Sequence, residues 1–140
     1  MRYILSTLLL LIVNSTLDLT IKNYKPIKEL SLKELIVNAI ILHESTNDSL
    51  AVNKDAVGLL QIRPIMVREV NNILKHKKYK LSDRFDSIKS IEMFYIYTNH
   101  HTPSWELELV TRRWNGGENG ELKPSTFIYY LTIKQMIDTL

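Results

Sequence analysis

Cysteine is absent from the 140-residue sequence. This absence excludes disulfide bonds, thiolate metal sites, a cysteine nucleophile and a lipid-modified N-terminal cysteine. Glycine and proline are scarce, with four of each, which argues against a linker-rich or low-complexity chain. The alternation of apolar and polar residues that is typical of a β-strand is nearly absent. We therefore expect a mainly α-helical protein.

Charge of one sign is not concentrated along the chain. The net charge is only +3, and no cluster of lysine and arginine is interleaved with aromatic residues, as is common in nucleic-acid-binding segments. We predict no nucleic-acid partner, and the mild positive charge is compatible with another anionic polymer. With 140 residues, of which 45% are hydrophobic, the chain is long enough for one domain with its own core.

A nearly unbroken apolar stretch, residues 4–13, follows Arg2 near the N-terminus. About ten residues is the length of the apolar part of a signal peptide, whereas crossing a bilayer takes about twenty. Because Ser15 supplies a small residue for cleavage, we predict a signal peptide over residues 1–15 and a mature domain over 16–140. Such a protein is exported to the periplasm or the extracellular space and has no membrane span after cleavage. An N-terminal core helix is the alternative.

The strongest helical pattern begins at Ser31. Ser31 and Glu34 have the spacing of a capping box, in which the two side chains accept hydrogen bonds from backbone N–H groups at the helix start. Glu44 lies at the end of this helix, and burial disfavours a charged carboxylate, so we expect a raised pKa and a proton donor near neutral pH. A surface glutamate at a frayed helix end is the alternative. One face of the helix carries Leu32, Leu35, Ile36, Ala39, Ile40 and His43.

The rest of the chain alternates between loops and helical patterns. Polar residues dominate positions 46–57, which predicts a loop or a short irregular hairpin after the first helix. Pro64, Asp86 and Pro124 are residues that can open further helices. The last of these helices carries on one side Phe127, Tyr130, Leu131, Lys134 and Ile137.

The residues from Glu44 onward resemble the SLT motif of the lytic transglycosylases, a family of the lysozyme-like superfamily. That motif reads Glu-Ser, a short polar stretch and Ala, then Gly-Ala-x-Gly-Leu-Met-Gln-Ile-x-Pro. Glu44 and Ser45 match its Glu-Ser pair. The later matches are Ala51, Ala56, Gly58, Leu59, Gln61, Ile62 and Pro64. Farther on, a segment similar to the family's Tyr-Asn-Ala-Gly element reads Trp114-Asn115-Gly116-Gly117.

This resemblance implies a single lysozyme-like domain that cleaves the β-1,4 glycosidic bond between N-acetylmuramic acid and N-acetylglucosamine in peptidoglycan. In lytic transglycosylases a single Glu, here Glu44, acts as acid and then as base. The muramyl 6-hydroxyl attacks, and a 1,6-anhydromuramyl end forms. No cofactor and no metal are implied, and we expect a monomer that binds glycan strands. By the same resemblance the substrate-binding residues are Ser45, Asn53, Gly58, Gln61 and Asn115.

The sequence also departs from the family pattern. The stretch from Glu44 to Gly58 is one residue shorter than usual, Asn53 stands where Ser is frequent, and Lys54-Asp55 replaces small residues. The chain is therefore identified as a small, divergent member. Gly58 suits a tight turn or a close approach of backbone to sugar. Gln61 offers both a donor and an acceptor to the substrate, and a buried amide that ties the loop is its alternative.

Aromatic residues are the remaining candidates for sugar binding. Tyr97 and Trp114 are the two that we predict to stack on sugar rings, although aromatic residues at helical spacing also commonly form core. The adjacent His43 and Glu44 do not form a zinc-protease motif, because the second histidine of that motif is replaced by Asn47.

Two other functions remain open at the level of sequence. Asp48 or Asp55 is a candidate for activating a water molecule, which would make the protein a hydrolytic muramidase. Solvated loop or turn residues are the alternative for both aspartates. A glycan-binding or structural module of the same fold, without catalysis, is the second functional alternative.

Overall fold

The computed structural model describes residues 30–139 of the chain. Within this range five α-helices form, and we number them α1 Leu32–Ser45, α2 Pro64–Leu74, α3 Ser87–His101, α4 Leu107–Gly116 and α5 Ser125–Asp138. The two short strands are β1 Val52–Asn53 and β2 Ala56–Val57. Two 3-10 helices complete the fold, Leu81–Phe85 and Gly120–Leu122. The prediction of a mainly α, lysozyme-like single domain with a short hairpin after the first helix is confirmed.

The predicted signal peptide, residues 1–15, lies outside the described residues, as does the segment 16–29. Among residues 30–139, no helix combines the length and the apolar character needed to cross a membrane.

Helix α1 begins at the capping box that the sequence predicts. The backbone N–H of Ser31 donates to Oε2 of Glu34 at 2.8 Å, and the N–H of Glu34 donates to Oγ of Ser31 at 3.3 Å. The helix ends at Thr46, which has a left-handed backbone with φ 54°. Between these ends the buried side chains are Ile36, Val37, Ala39, Ile40 and Ile41. Helix α1 is therefore central to the core and carries Glu44 in its last turn.

Strands β1 and β2 form an antiparallel hairpin directly after α1. Asn53 pairs with Ala56, so the connection is only two residues long, and Lys54 takes a left-handed φ of 57° there. Beyond the hairpin, Val57 and Ile62 exchange backbone hydrogen bonds at 3.2 and 2.9 Å. The shortened loop is thus a tight hairpin that folds back before α2 begins.

Gly58 follows the hairpin directly and packs against the backbone of the first 3-10 helix. Its φ is +76°, and a Cβ added there would lie 1.9 Å from the carbonyl oxygen of Arg84. The Arg84 guanidinium in turn donates from Nη1 to the carbonyl oxygens of Asp55, at 2.8 Å, and Ile62, at 3.1 Å. Only glycine fits this position, because both the backbone conformation and the close approach exclude a side chain.

The core fills the space between α1 and the other helices. Ile40, Leu60, Val70, Phe94 and Ile133 are among its fully buried side chains, and four of them come from α1, α2, α3 and α5. Helix α4 adds Val110, which is 2% exposed. Burial of these apolar surfaces is the main force that holds the helices together.

Helix α3 starts as predicted, whereas α5 turns a different face inward. The side chain of Asp86 caps α3 by accepting a hydrogen bond from the N–H of Lys89 at 3.1 Å. On α5, Phe127 and Leu131 are each 42% exposed, and the buried residues are Thr126, Tyr129 and Ile133. The side of the helix that carries Phe127 and Leu131 is therefore not the buried side. Helix α5 packs against α1 and α4. On the face that contacts α1, the hydroxyl of Tyr129 donates a hydrogen bond to the carboxylate of Glu44.

Candidate active site

A cleft of about 540 Å³ runs between two walls of the domain. One wall is formed by the hairpin and the start of α2, with Asn53, Ala56, Gln61, Ile62, Arg63, Ile65 and Met66. The other wall is formed by the end of α4 and the start of α5, with Trp114, Asn115, Gly116, Gly117, Lys123, Ser125 and Thr126. Glu44 lines the cleft from the end of α1. The cleft has a mixed lining, in which amide, hydroxyl and cationic groups alternate with apolar side chains around one carboxyl group.

Glu44 is half-buried and has a fixed partner. The hydroxyl of Tyr129 donates a hydrogen bond to its Oε1 at 2.7 Å. The ring of His43 lies edge-on to the ring of Tyr129, with centroids 5.0 Å apart. Tyr129 is itself only 8% exposed, so its hydroxyl has little access to water. This contact orients the carboxyl group at the end of α1.

Burial raises the pKa of Glu44 above its ordinary value of 4.5. The hydrogen bond from Tyr129 opposes this effect, as do the nearby charges of His43 and Arg63 and a smaller contribution from Trp114. A larger fraction of Glu44 is therefore protonated near neutral pH than for a solvated glutamate. Burial and the Glu44 charge also raise the pKa of Tyr129 far above its ordinary value, so this hydroxyl remains a donor.

Ser45 contacts the backbone of the protein and does not line the cleft. Its hydroxyl lies 2.8 Å from the carbonyl oxygen of Leu59 and 3.2 Å from that of Ile41. The first of these contacts crosses from the end of α1 to the segment after the hairpin. Ser45 thus holds the helix end that carries Glu44 against the wall of the cleft.

Three predicted binding residues bring side-chain amides to the cleft. Asn53 lies on β1, and Asn115 lies in the last turn of α4, where both are exposed. The amide nitrogen of Gln61 donates to the carbonyl oxygens of Gly58, at 2.9 Å, and Ala51, at 3.3 Å. Gln61 therefore fits both interpretations, since it lines the cleft and also ties the loop. Gly58 is buried beside this contact and does not itself line the cleft.

The two aromatic candidates lie in different places. Trp114 lines the cleft and packs on Phe94, with ring centroids 4.7 Å apart. Tyr97 is only 4% exposed, and its hydroxyl donates to the carbonyl oxygen of Arg113 at 3.3 Å. Burial raises the pKa of Tyr97 to about 12. The prediction that Tyr97 stacks on a sugar is therefore wrong, because its ring belongs to the core behind Trp114.

The two loop aspartates do not supply a second carboxyl group to the cleft. Asp48 accepts a hydrogen bond from the N–H of Leu50 at 2.8 Å, which stabilises a turn. Asp55 lies 3.7 Å from the guanidinium of Arg63, and both side chains are exposed. Among residues 30–139, Glu44 is the only carboxylate that lines the cleft. The described part of the chain also contains no group of three or more His, Cys, Asp or Glu residues that could hold a metal ion.

Two residues of the site, Tyr129 and Lys123, were not predicted from the sequence. Tyr129, which contacts Glu44, is 85 residues away from it, and the helical pattern drew attention to its neighbour Tyr130. Lys123 closes the far wall by donating from Nζ to the carbonyl oxygen of Gly116 at 2.5 Å. No sequence pattern marks Tyr129, because it acquires its role from the packing of α5 against α1, and the contact of Lys123 depends on how the connection between α4 and α5 folds.

The loop after α4 is fixed by a paired contact. The guanidinium of Arg113 donates from Nη2 and Nε to the two oxygens of Glu121, at 2.5 and 3.0 Å. This arrangement lowers the pKa of Glu121 to about 2, mainly because the hydrogen-bonded guanidinium favours the charged carboxylate. The far wall of the cleft is thereby anchored to α4.

The sequence of the chain matches a known protein family. The family described as Transglycosylase SLT domain matches residues 23–123, which is more than two thirds of the chain. Comparisons with curated proteins and with solved structures find no match. The matched segment includes Glu44, the hairpin and the Trp114-Asn115 wall, and it ends before α5. The chain therefore belongs to the transglycosylase SLT domain family, the lytic transglycosylases that act on cell-wall peptidoglycan.

Proposed function

We propose that this protein cleaves the β-1,4 bond between N-acetylmuramic acid and N-acetylglucosamine in peptidoglycan without consuming water. The observation that carries the proposal is the position of Glu44. It is the sole carboxylate among the described residues that line the cleft, it is half-buried, and Tyr129 holds it. A single group of this kind suits a reaction in which one residue first gives a proton and then takes one back.

In the first step Glu44 acts as general acid. Because its pKa is raised, a larger fraction of Glu44 is protonated near neutral pH than of a solvated glutamate. Glu44 transfers its proton to the glycosidic oxygen as the bond from that oxygen to C1 of the muramyl residue breaks. The N-acetylglucosamine side then leaves as an alcohol, and the carboxylate of Glu44 remains next to the developing positive charge on the sugar.

In the second step the same carboxylate acts as general base. It takes the proton of the muramyl 6-hydroxyl while the 6-oxygen forms a bond to C1, which gives a 1,6-anhydromuramyl end. Glu44 is then protonated again and ready for another cycle. One bond breaks, one bond forms, and the proton lost by Glu44 is replaced by the proton of the substrate, so the reaction needs no second carboxylate and no cofactor.

The walls of the cleft supply groups that match a glycan. We assign the amides of Asn53, Gln61 and Asn115 to the hydroxyl and acetamido groups of the sugars, because an amide both donates and accepts hydrogen bonds. The indole of Trp114 is assigned to stacking against a sugar ring. Ser45 acts as a positioning residue, since its hydroxyl contacts the protein backbone.

Hydrolysis and simple binding are the alternatives. Inverting hydrolysis normally uses a second carboxylate to activate water, and neither Asp48 nor Asp55 lines the cleft. A binding module without catalysis has no need of an acid with a raised pKa, which burial gives to Glu44. The non-hydrolytic reaction therefore has the stronger support.

The products of purified sacculi distinguish these reactions. Digestion in water labelled with a heavy oxygen isotope, followed by mass spectrometry, should give unlabelled fragments lighter by one water than reducing-end fragments. Labelled reducing ends would identify a hydrolytic muramidase instead. The Glu44→Gln variant is the control and should not release fragments. If the wild type binds sacculi but releases nothing, the protein is a binding module.

Export is part of the same proposal, because peptidoglycan lies outside the cytoplasmic membrane. We assign residues 1–15 to a cleaved signal peptide and the remainder to a monomeric enzyme of the periplasm or the extracellular space. N-terminal sequencing of the protein recovered from the cell envelope should start at Thr16. Recovery of the intact chain from the cytoplasm alone would contradict this assignment.

A further inference from the structure

A second groove lies on the surface of the domain, outside the cleft. It has a volume of about 670 Å³ and is formed by the C-terminal half of α2 and the residues that follow. We call it the basic surface and define it by Arg68, Asn71, Asn72, Lys75, His76 and Lys77. These six residues include three permanent cations and no carboxylate. The proposed function uses none of them.

The basic surface is held in a fixed shape by Asn71. The side-chain amide nitrogen of Asn71 donates to the carbonyl oxygen of Tyr79 at 2.9 Å. Its amide oxygen accepts the backbone N–H groups of Lys78, at 3.0 Å, and Tyr79, at 2.9 Å. Tyr79 is 2% exposed and anchors the segment in the core. The cations after α2 are thus presented by a backbone that is tied to the helix.

The positive charge of the basic surface is not neutralised by neighbours. Some lysines elsewhere on the domain pair with carboxylates, as Lys89 does with Asp83 and Lys134 does with Asp138. Within residues 30–139, the structure contains no ion pair for the three cations of the basic surface, Arg68, Lys75 and Lys77. A fixed group of unpaired cations attracts an anionic partner.

The basic surface adjoins the cleft along one face of α2. Ile65 lines the cleft, and Arg68 and Asn72 follow it three and seven positions later, so all three residues lie on the same side of the helix. The rise from Ile65 to Arg68 is about 4.5 Å, at about 1.5 Å per residue. A polymer network held in the cleft therefore lies within reach of the basic surface.

We propose that the basic surface binds the acidic stem peptides of peptidoglycan next to the strand in the cleft. This inference rests on the proposed function for the nature of the polymer. The composition of the surface supports the choice. It lacks the Phe, Tyr and Trp side chains on which nucleic-acid bases commonly stack, and it lacks the apolar side chains that accompany basic residues at membrane surfaces. Arginine, lysine and asparagine groups remain, and these donate hydrogen bonds to carboxylates.

Binding of the Arg68→Gln/Lys77→Gln variant to insoluble peptidoglycan tests the proposal. Both residues are exposed, and the substitution leaves Lys75 in place because that residue ends α2 with a left-handed φ of 61°. The assay is co-sedimentation in a Glu44→Gln background, so that no substrate is consumed. We expect about tenfold weaker binding at low salt, and a difference that disappears at high salt because exposed charges are screened.

A matched control removes the same amount of charge from other places. The Lys89→Gln/Lys134→Gln variant has the same net charge, and its two lysines lie outside both the cleft and the basic surface. It should bind peptidoglycan as the parent does. An equal loss in both variants, or no loss in either, would overturn the proposal. Thermal unfolding curves that coincide with the parent show that a loss of binding is not a loss of folding.

Removal of the peptides identifies the ligand. On glycan strands from which an amidase has cleaved the stem peptides, the parent and the Arg68→Gln/Lys77→Gln variant should bind equally. The assignment would be overturned if the double variant still bound the stripped glycan more weakly than the parent. It would also be overturned if the parent bound vesicles of anionic lipid more tightly than peptidoglycan and the double variant lost that binding. Peptide-dependent binding without cleavage by the wild type refutes only the catalytic proposal. Cleavage without any difference between the two double variants refutes only the basic surface.

Discussion

The hydroxyl of Tyr129 donates a hydrogen bond to Oε1 of Glu44 across 2.7 Å, and it joins the last helix to the end of the first. Two opposing effects meet in this contact. Burial raises the pKa of Glu44, whereas the hydrogen bond stabilises the charged form and lowers it. The pKa of Glu44 is thus lowered by a residue of α5, a helix that lies beyond the segment matched to the family.

Replacement of Tyr129 by Phe should change both the rate and its pH dependence. Without the hydroxyl, Glu44 loses the group that fixes its orientation, and kcat/KM at the optimum should fall about tenfold. The pKa of Glu44 should also rise, because the hydrogen bond that favours the charged form is lost. The basic limb of the pH–rate profile, where the protonated acid disappears, should therefore move to higher pH.

The neighbouring Tyr130→Phe variant is the matched control for this change. Tyr130 is on the same helix but contacts the ring of Phe127, with centroids 5.7 Å apart. Its pH–rate profile should coincide with that of the wild type. A Tyr129→Phe profile that stays in place, or that moves to lower pH, would show that the hydrogen bond does not adjust the acid.

The Glu44→Gln variant should be more stable than the wild type at neutral pH. The folded-state pKa of Glu44 lies above 4.5, so ionisation weakens the folded state as pH rises from 4.5 through the folded-state value. Glutamine carries no charge and keeps an oxygen that can accept from Tyr129. The midpoint of thermal unfolding should exceed that of the wild type by a few degrees at neutral pH, and the two should converge below pH 4.5. A difference in unfolding midpoint that increases as the pH falls would contradict this explanation.

Alanine at Gly58 should destabilise the domain more than alanine at Gly117. Both glycines have a positive φ, +76° and +84°, but a Cβ at Gly58 meets the Arg84 carbonyl oxygen at 1.9 Å, and a Cβ at Gly117 meets nothing within 4 Å. We expect a loss of about 3 kcal/mol or more for Gly58→Ala and about 1–2 kcal/mol for Gly117→Ala. Urea unfolding measures both, and equal losses would mean that backbone strain alone accounts for Gly58.

Substitution of Trp114 and Tyr97 separates the cleft from the core behind it. In a Glu44→Gln background, Trp114→Leu should weaken the binding of soluble glycan fragments about tenfold, because a ring that lines the cleft is lost. Tyr97→Phe should leave binding unchanged and lower the free energy of unfolding by up to about 1 kcal/mol, since only the bond to the Arg113 carbonyl is removed. Weaker binding by Tyr97→Phe alone would contradict the position of Tyr97 in the core.

Features that depend on local chemistry were predictable from the sequence. The capping box at Ser31 and the cap at Asp86 form as expected, because each involves residues three positions apart. The end of the apolar helix at Glu44 and the hairpin after it follow from the same kind of short-range pattern. The motif match also identified Gln61 and Asn115, which line the same cleft in the structure.

Features that depend on the meeting of distant helices were not predictable. On α5, Phe127 and Leu131 are apolar enough to form a core face, yet they are exposed. Tyr129 is buried instead because α5 packs against α1 and α4 on that side. Tyr97 and Trp114 are both aromatic residues at helical spacing. Only the packing of α3 against α4 decides which ring faces the cleft and which is enclosed.

The contact of the Ser45 hydroxyl with the carbonyl oxygen of Leu59 has a consequence for local opening. It links the last turn of α1 to the segment that also contains Gly58 and Gln61, so the acid and one wall of the cleft cannot separate without breaking it. Amide hydrogens of this region should then exchange with solvent as one cooperative unit. Fluctuations that move the acid away from the hairpin wall must break this contact, and those that move it away from α5 must break the Tyr129–Glu44 hydrogen bond.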